Sequence, residues 1–302
     1  MGVKLNYKLI LNSAIKNNKD FYPISEDQKE RLKDELYKMA CDVDERCKKN
    51  DIKIFLTGGS LLGAVRHMDF IPWDDDIDFG TFREDYEKIK KVFEDEFADT
   101  YELRCPNSPY PNGNRFMQIF KKNTVLRNID SDNPLQPHEI SIDIFPYDSV
   151  PNNRVARKAK GIYANFLMAI ASCVMEYQYP NKLLRETMCK FNDARCLLAI
   201  RDCIGRIFSF RTAEKWFDGV DTCIASSKKA KCITSATGRF HYFGEIYDTD
   251  VFVPLTTLLF REHKFYAPSQ YKVYLEGNYG KDYMTPPAEN ARESHFISEI
   301  KL

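Results

Sequence analysis

Apolar residues at Leu32, Leu36, Met39, Ala40 and Val43 recur at three- and four-residue intervals behind Ser25-Glu-Asp-Gln28. A serine three positions ahead of a glutamine is a capping-box pattern, so a helix is predicted from there to about Lys49. Lys53 to Thr57 is a short β-rich run that stops at Gly58-Gly59, and Ser60 to Arg66 reads as a short helix beginning at those glycines. Asp76 to Gly80 alternates acidic and apolar side chains as a half-buried strand does, and Arg83 to Phe97 follows as a charged amphipathic helix. Further strands are predicted at Arg115 to Phe120, Thr124 to Asn128 and Ile140 to Phe145. From Asn152 to about Ala225 the pattern turns helical, with Pro180 its one proline. The most apolar stretch, Gly161 to Met175, is shorter than the ~20 residues a spanning helix needs and contains Asn165 and Ser172, so it reads as a core helix. Beyond it the chain is tyrosine-rich and punctuated by prolines. The expected organisation is an α/β (α+β) front half over residues 1–150, a helical region over 151–225, and an irregular C-terminal part over 226–302 packing on the core.

Composition narrows the class. With 302 residues the chain can bury a proper core. Its 44 basic residues are matched by 44 acidic ones, against the strongly basic balance of a dedicated nucleic-acid binder, so no nucleic-acid partner is expected. At 43% hydrophobic residues it is too rich in core-formers for a disordered chain. The nine cysteines are odd in number and form no CxxC pair, and the start, MGVKLNYKLI, has no apolar signal segment. A reducing cytoplasm is the expected compartment. Cys189, Cys196 and Cys203 fall seven apart, on one stripe of a helix; three sulfurs there suggest metal, but buried free cysteine is the plainer expectation.

Candidate chemistry concentrates in Phe55-Leu-Thr-Gly-Gly-Ser-Leu-Leu-Gly-Ala-Val-Arg-His67 and the following Ile71-Pro-Trp-Asp-Asp-Asp-Ile-Asp-Phe-Gly80. A strand feeding Gly58-Gly59-Ser60 and then a helix offers backbone N–H groups and a helix N-terminus to an anion. Asp74, Asp76 and Asp78 alternate, so on a strand all three project from one face. Three carboxylates there repel unless a cation sits among them, and hard oxygen ligands suit Mg²⁺ or Mn²⁺. A calcium loop is the rival, but Phe79 stands where it needs glycine and Asp85 where it needs glutamate. Asp143 interrupts the apolar run Ser141-Ile-Asp-Ile-Phe145, where an isolated carboxylate is expensive to bury without a partner. A metal held by Asp76 and Asp78 would supply that partner; an edge-strand aspartate facing water is the alternative.

Gly58-Gly59-Ser60, a helix, Asp76-Ile-Asp78 and the later Asp143 together are similar to the nucleotidyltransferase superfamily with a polymerase-β-like core. More closely, GGSLLGAVRHMDFIPWDDDIDFG resembles the signature of the LicD family, the phosphocholine transferases related to fukutin and fukutin-related protein. The likeness continues in Arg83-Glu-Asp-Tyr86, Asp143-Ile-Phe-Pro-Tyr-Asp148, Val253-Pro254, Tyr279-Gly-Lys-Asp-Tyr-Met284 with Pro286-Pro287, and in Arg292 with His295. The helical middle matches nothing in that pattern, and Ser60 stands where threonine is frequent.

The resemblance implies a polymerase-β-like core with a mixed sheet and an enzyme moving a phospho-alcohol from a CDP-activated donor to a sugar hydroxyl, with release of CMP. Carried over, Asp76 and Asp78 would hold the catalytic Mg²⁺ with Asp74 beside them. Asp143 would be a third metal ligand or the group that takes the acceptor's proton. Gly58, Gly59 and Ser60 would cradle donor phosphate, and Arg66 would reach it as a cation or else bridge to the acidic strand. The implied partners are CDP-choline or a related CDP-alcohol and a glycan or glycolipid acceptor, such as a lipopolysaccharide or teichoic-acid precursor. A trimethylammonium donor would want aromatic faces, for which Trp73, Phe240, Tyr242, Phe243 and Tyr247 are candidates, although aromatics at such density are mostly core. The same carboxylates would serve nucleotidyl transfer, or a relative that only binds nucleotide. The basic cluster Arg154, Arg157, Lys158 and Lys160 would permit a peripheral contact at the inner face of a membrane, with a solvated helix face as the plainer alternative.

Overall fold

The N-terminal capping box forms as the spacing predicts. In a computed structural model, which describes residues 22–128, 134–135, 137–288 and 296–302, Ser25 Oγ accepts from the Gln28 N–H at 3.2 Å and Gln28 Oε1 accepts from the Ser25 N–H at 3.1 Å. After the two-residue strand β1 (Tyr22–Pro23), the helix α1 (Glu26–Lys49) buries Leu32, Leu36, Met39, Ala40 and Val43 on one face. The chain continues through β2 (Ile54–Leu56), α2 (Gly58–His67), β3 (Asp78–Phe82), α3 (Arg83–Glu96), β4 (Tyr101–Arg104), β5 (Met117–Lys121), β6 (Val125–Asn128) and β7 (Ser141–Ser149). Four helices follow: α4 (Arg154–Gln178), α5 (Lys182–Met188), α6 (Asn192–Phe208) and α7 (Ala213–Ile224). The last part holds β8 (Cys232–Thr234), α8 (His241–Gly244), β9 (Ile246–Asp248), β10 (Thr256–Phe260), β11 (His263–Ala267), α9 (Tyr271–Tyr279) and β12 (Phe296–Lys301).

The central sheet is mixed, in the order β10-β11-β2-β3-β7-β5-β4, with β8 and β9 added at the far end of β7. β3 and β7 run parallel, while β2 pairs antiparallel with β3 and β5 antiparallel with β7. A second small sheet orders β1-β12-β6. The fold class is thus the mixed α/β arrangement expected. Residues beyond 225 are more regular than their composition suggests, because the hairpin β10–β11 extends the central sheet by pairing β11 with β2. Tyr101–Arg104, which no periodicity singled out, is a four-residue strand whose alternate burial is too short a pattern to read locally.

Two further expectations are corrected. The acidic strand begins at Asp78, two residues later than predicted, because a turn closed by the Asp74 N–H on the Ile71 carbonyl at 3.0 Å precedes it. Cys189, Cys196 and Cys203 are exposed, and Cys189 lies beyond the end of α5 instead of sharing a helix with the other two.

Leu167, Met168, Ile170, Ala171 and Val174 of α4 pack on Ala213, Trp216, Phe217 and Val220 of α7, giving the helical region its own small core. A buried ion cluster ties it to the sheet. Arg83, at the start of α3, donates from Nε and Nη2 to the two carboxylate oxygens of Asp148 at 2.8 and 2.7 Å, and from Nη1 to Asp221 of α7 at 2.8 Å. Among the described residues, no helix is long and apolar enough to cross a membrane.

Candidate active site

The parallel pairing of β3 with β7 puts Asp78 directly opposite Asp143, and the antiparallel pairing of β7 with β5 puts Gln118 opposite Asp143 on its other side. Gln118 uses that position, its Nε2 donating to Asp143 Oδ1 at 2.9 Å. Asp76 and Asp74 come from the turn ahead of β3, not from its pleat. Lys33 of α1 steadies this turn by donating to the Pro72 carbonyl at 3.0 Å.

Helix α2 starts against the same carboxylates. Gly58 has φ +52°, in the left-handed region, and a Cβ there would also come 3.1 Å from Asp78 Oδ2. A Cβ on Gly59 would lie 2.7 Å from Asp74 Oδ2. Both glycines are therefore demanded by close approach of carboxylates to the positive end of a helix. The Gly58 N–H is already engaged, donating to the Tyr274 hydroxyl at 3.1 Å. Ser60 is buried, and its Oγ accepts from the Asp78 N–H at 2.8 Å, so its hydroxyl fastens α2 to β3 and is absent from the cleft wall.

A cleft of about 500 Å³ opens over this cluster. Gly58, Gly59, Arg66, Trp73, Asp74, Asp76 and Asp78 form one wall; Asp143 stays beneath, beside Gln118. A Cβ on Gly80 of β3 would strike the rings of Tyr147 and Phe55 at 2.5 and 2.6 Å, so the strand packs closely against them there. Arg66 Nη1 donates to the Tyr283 carbonyl at 3.0 Å, its guanidinium lies 5.6 Å from the centre of the Trp73 ring, and the Asp74 carboxylate attracts it electrostatically.

The electrostatics follow from crowding. Burial pushes the Asp78 carboxyl well above the usual carboxylate range, and Asp76, Asp143 and Asp74 push it further. Asp143 is pushed up to about 7, chiefly by burial and also by Asp76, against the lowering effect of the Gln118 hydrogen bond. These crowded carboxylates present hard oxygens, the donor chemistry of Mg²⁺ or Mn²⁺. Among the described residues no three His, Cys, Asp or Glu side chains are grouped so that, as they stand, they could hold a metal ion.

The rest of the lining comes from residues far along the chain. Ser235, Gly238, Arg239, Phe240, Glu245, Tyr279 and Asp282 all face this cleft. Glu245 is 5% exposed and accepts from the Phe240 N–H at 3.3 Å; burial pushes its carboxyl up to about 7, against the nearby Arg115 guanidinium. No local pattern in the sequence marks Glu245 or Ser235 for this cleft. Of the aromatic candidates, Trp73 and Phe240 line the cleft, whereas Tyr242 is buried beside α4 and Tyr247 packs on the main core. Arg292 and His295 lie outside the described residues.

Residues 51–167 match the family model described as LicD/FKTN/FKRP, nucleotidyltransferase domain. Over 107 residues the chain is 35% identical to the lipopolysaccharide cholinephosphotransferase LicD of Haemophilus influenzae, a stretch covering 35% of this chain and 39% of that protein. Over 34 residues it is 59% identical to the human ribitol 5-phosphate transferase FKRP, covering 11% of this chain and 7% of that protein. The chain thus matches less than half the length of these relatives, and the Ser235–Asp282 wall falls beyond the matched domain model. Gly58-Gly59, Asp74, Asp76, Asp78 and Asp143 all lie within the stretch that matches the nucleotidyltransferase domain model of the LicD/FKTN/FKRP family.

Proposed function

We propose that the protein transfers a phospho-alcohol, phosphocholine or a similar group, from a CDP-activated donor to a sugar hydroxyl of a glycan precursor and releases CMP. The observation that carries this reading is the side-by-side placement of Asp78 and Asp143 on parallel strands, beneath the glycine start of α2 and open to the cleft through Asp76 and Asp74. Phosphoryl transfer needs charge neutralisation and alignment more than covalent help from the protein. Asp76 and Asp78, with Asp74 and Asp143 beside them, would hold Mg²⁺ or Mn²⁺, which when bound supplies charge neutralisation at the diphosphate. Arg66 and Arg239 flank the same space and would bind the donor's phosphates, with the amide-rich turn at Gly58 and Gly59 admitting them closely. In the reaction the acceptor oxygen bonds to the phosphorus bearing the alcohol, the bond from that phosphorus to the bridging oxygen breaks, and CMP departs with that oxygen. The acceptor's proton passes to a carboxylate, for which Asp143 is placed close to Asp78.

A CMP-release assay with Mg²⁺ tests this, offering CDP-choline, CDP-ribitol, CDP-glycerol and CTP in parallel, with Asp78→Ala and Asp76→Ala as controls. Metal-dependent CMP from one CDP-alcohol, reduced at least a hundredfold in both variants, is the expected result. Pyrophosphate from CTP with no turnover of any CDP-alcohol would replace the reading by nucleotidyl transfer.

A further inference from the structure

Helices α4 and α6 carry apolar side chains on faces that nothing among the described residues covers. On α4 the core-facing positions, among them Ala164, Leu167, Ala171 and Val174, are buried, but the opposite stripe is apolar too: Val155 is 77% exposed, Ile162 56% and Phe166 53%. A soluble helix normally turns charge outward along such a stripe. α6 repeats the pattern. Ala194 and Leu198 point inward, whereas Ile200, 53% exposed, and Ile207, 61% exposed, face out together with Cys196 and Cys203.

The two bare faces look the same way. Arg201 of α6 donates to the Ser172 hydroxyl of α4 at 2.8 Å, and a Cβ on Gly205 would lie 2.6 Å from the Cys173 carbonyl oxygen. With 3.6 residues per turn, Cys173 continues the stripe of Val155, Ile162 and Phe166. α6 therefore lies over the C-terminal half of that stripe, leaving the N-terminal half bare beside its own apolar outer face.

Charge says what would cover them. Residues 151–225 hold twelve Lys and Arg against seven Asp and Glu, a surplus of +5 in a chain whose total is zero. Arg154 and Lys158 stand on α4 beside the bare stripe, and Arg195 and Arg206 border the outer face of α6; all four are exposed. A second copy of the chain would bring like charges together, whereas an anionic lipid surface offers both hydrocarbon and negative charge. Among the described residues no helix is long and apolar enough to cross a membrane, and the contact such faces would make is an interfacial one.

We propose that the outer face of α4 and α6 is a docking surface for an anionic lipid bilayer, entering it with Val155, Ile162, Phe166, Ile200 and Ile207 and held by the flanking arginines and lysines. The proposal does not depend on the transfer reaction, since it concerns a different face from the cleft.

Co-sedimentation of the full chain with vesicles tests it, using phosphatidylcholine alone and phosphatidylcholine with 30% phosphatidylglycerol, on the order of the anionic content at which basic surfaces bind. The expected result is binding to the anionic vesicles, at least tenfold weaker on neutral ones and weakened by 0.5 M salt, a level at which screening is strong. Ile162→Glu with Phe166→Glu should reduce it at least tenfold while circular dichroism and CMP release from a soluble substrate stay as in the parent. A second pair, Arg154→Glu with Lys158→Glu, should lower binding without removing any apolar side chain. No sedimentation with anionic vesicles, or sedimentation that survives the Ile162/Phe166 change, overturns the proposal. So does a stable dimer that the same change splits.

Discussion

Glu245 shows how a single side chain records its surroundings. Its carboxyl is buried in the cleft wall with one backbone hydrogen bond, and burial raises it from an ordinary 4.5 to about 7. The fold therefore prefers the protonated form. The stability this group contributes is complete below pH 4.5 and is lost as pH rises through about 7. Glu245→Gln keeps an oxygen for the Phe240 N–H and removes the charge. We expect it to stabilise the protein at pH 8 by roughly 2 to 3 kcal/mol and to change nothing at pH 4.5. Urea denaturation of both proteins at the two pH values measures this, and an equal difference at both would contradict the burial argument. Little of this was open to sequence reading, because a glutamate between Gly244 and Ile246 carries no local signal of its environment. Asp78 is the contrasting case: its position after two glycines and among alternating aspartates announced a crowded carboxylate before any coordinates.

At the scale of elements, the site depends on how α2 is fastened to β3. Ser60 Oγ receives the Asp78 N–H across eighteen residues of chain and so fixes the backbone that carries the central carboxylate. Ser60→Ala leaves that N–H without its partner and should cost about 1 to 2 kcal/mol. CMP release should fall more than stability suggests, because the Asp78 carboxyl loses its anchor. Ser60→Thr restores an oxygen and should recover both. Melting temperature and turnover of the two variants decide this, and an alanine variant with parental turnover would reduce Ser60 to a packing residue. The sequence located these elements well, since strand alternation and helical spacing are local properties. It placed Asp76 within the strand because alternation alone cannot report the turn at Ile71–Asp74.

At the scale of the molecule, Arg83 joins three parts that the chain keeps far apart. Its guanidinium stands between Asp148 at the end of β7 and Asp221 on α7, all three buried. Arg83→Met strands both carboxylates and should cost about 3 to 5 kcal/mol. Adding Asp148→Asn and Asp221→Asn should return much of that, which equilibrium denaturation would show; no recovery would mean the arginine acts through its packing instead. Arg83 and Asp148 belong to motifs resembling the family signature, and here their contacts are with each other, away from the cleft.

By itself the sequence determined the helices and strands whose periodicity is written in neighbouring residues and the capping of α1, and it singled out Gly58, Gly59, Asp74, Asp76, Asp78 and Asp143 as candidates. Tertiary structure alone decided that Asp78 and Asp143 stand side by side, that Ser60 turns away from the cleft, and that Arg239, Glu245, Tyr279 and Asp282 join its lining. The physical reason is that spacing of 2 or 3.6 residues fixes only the direction of a side chain about its own element. Which elements meet, and in what register, is set by strand pairing and packing between segments well separated along the chain.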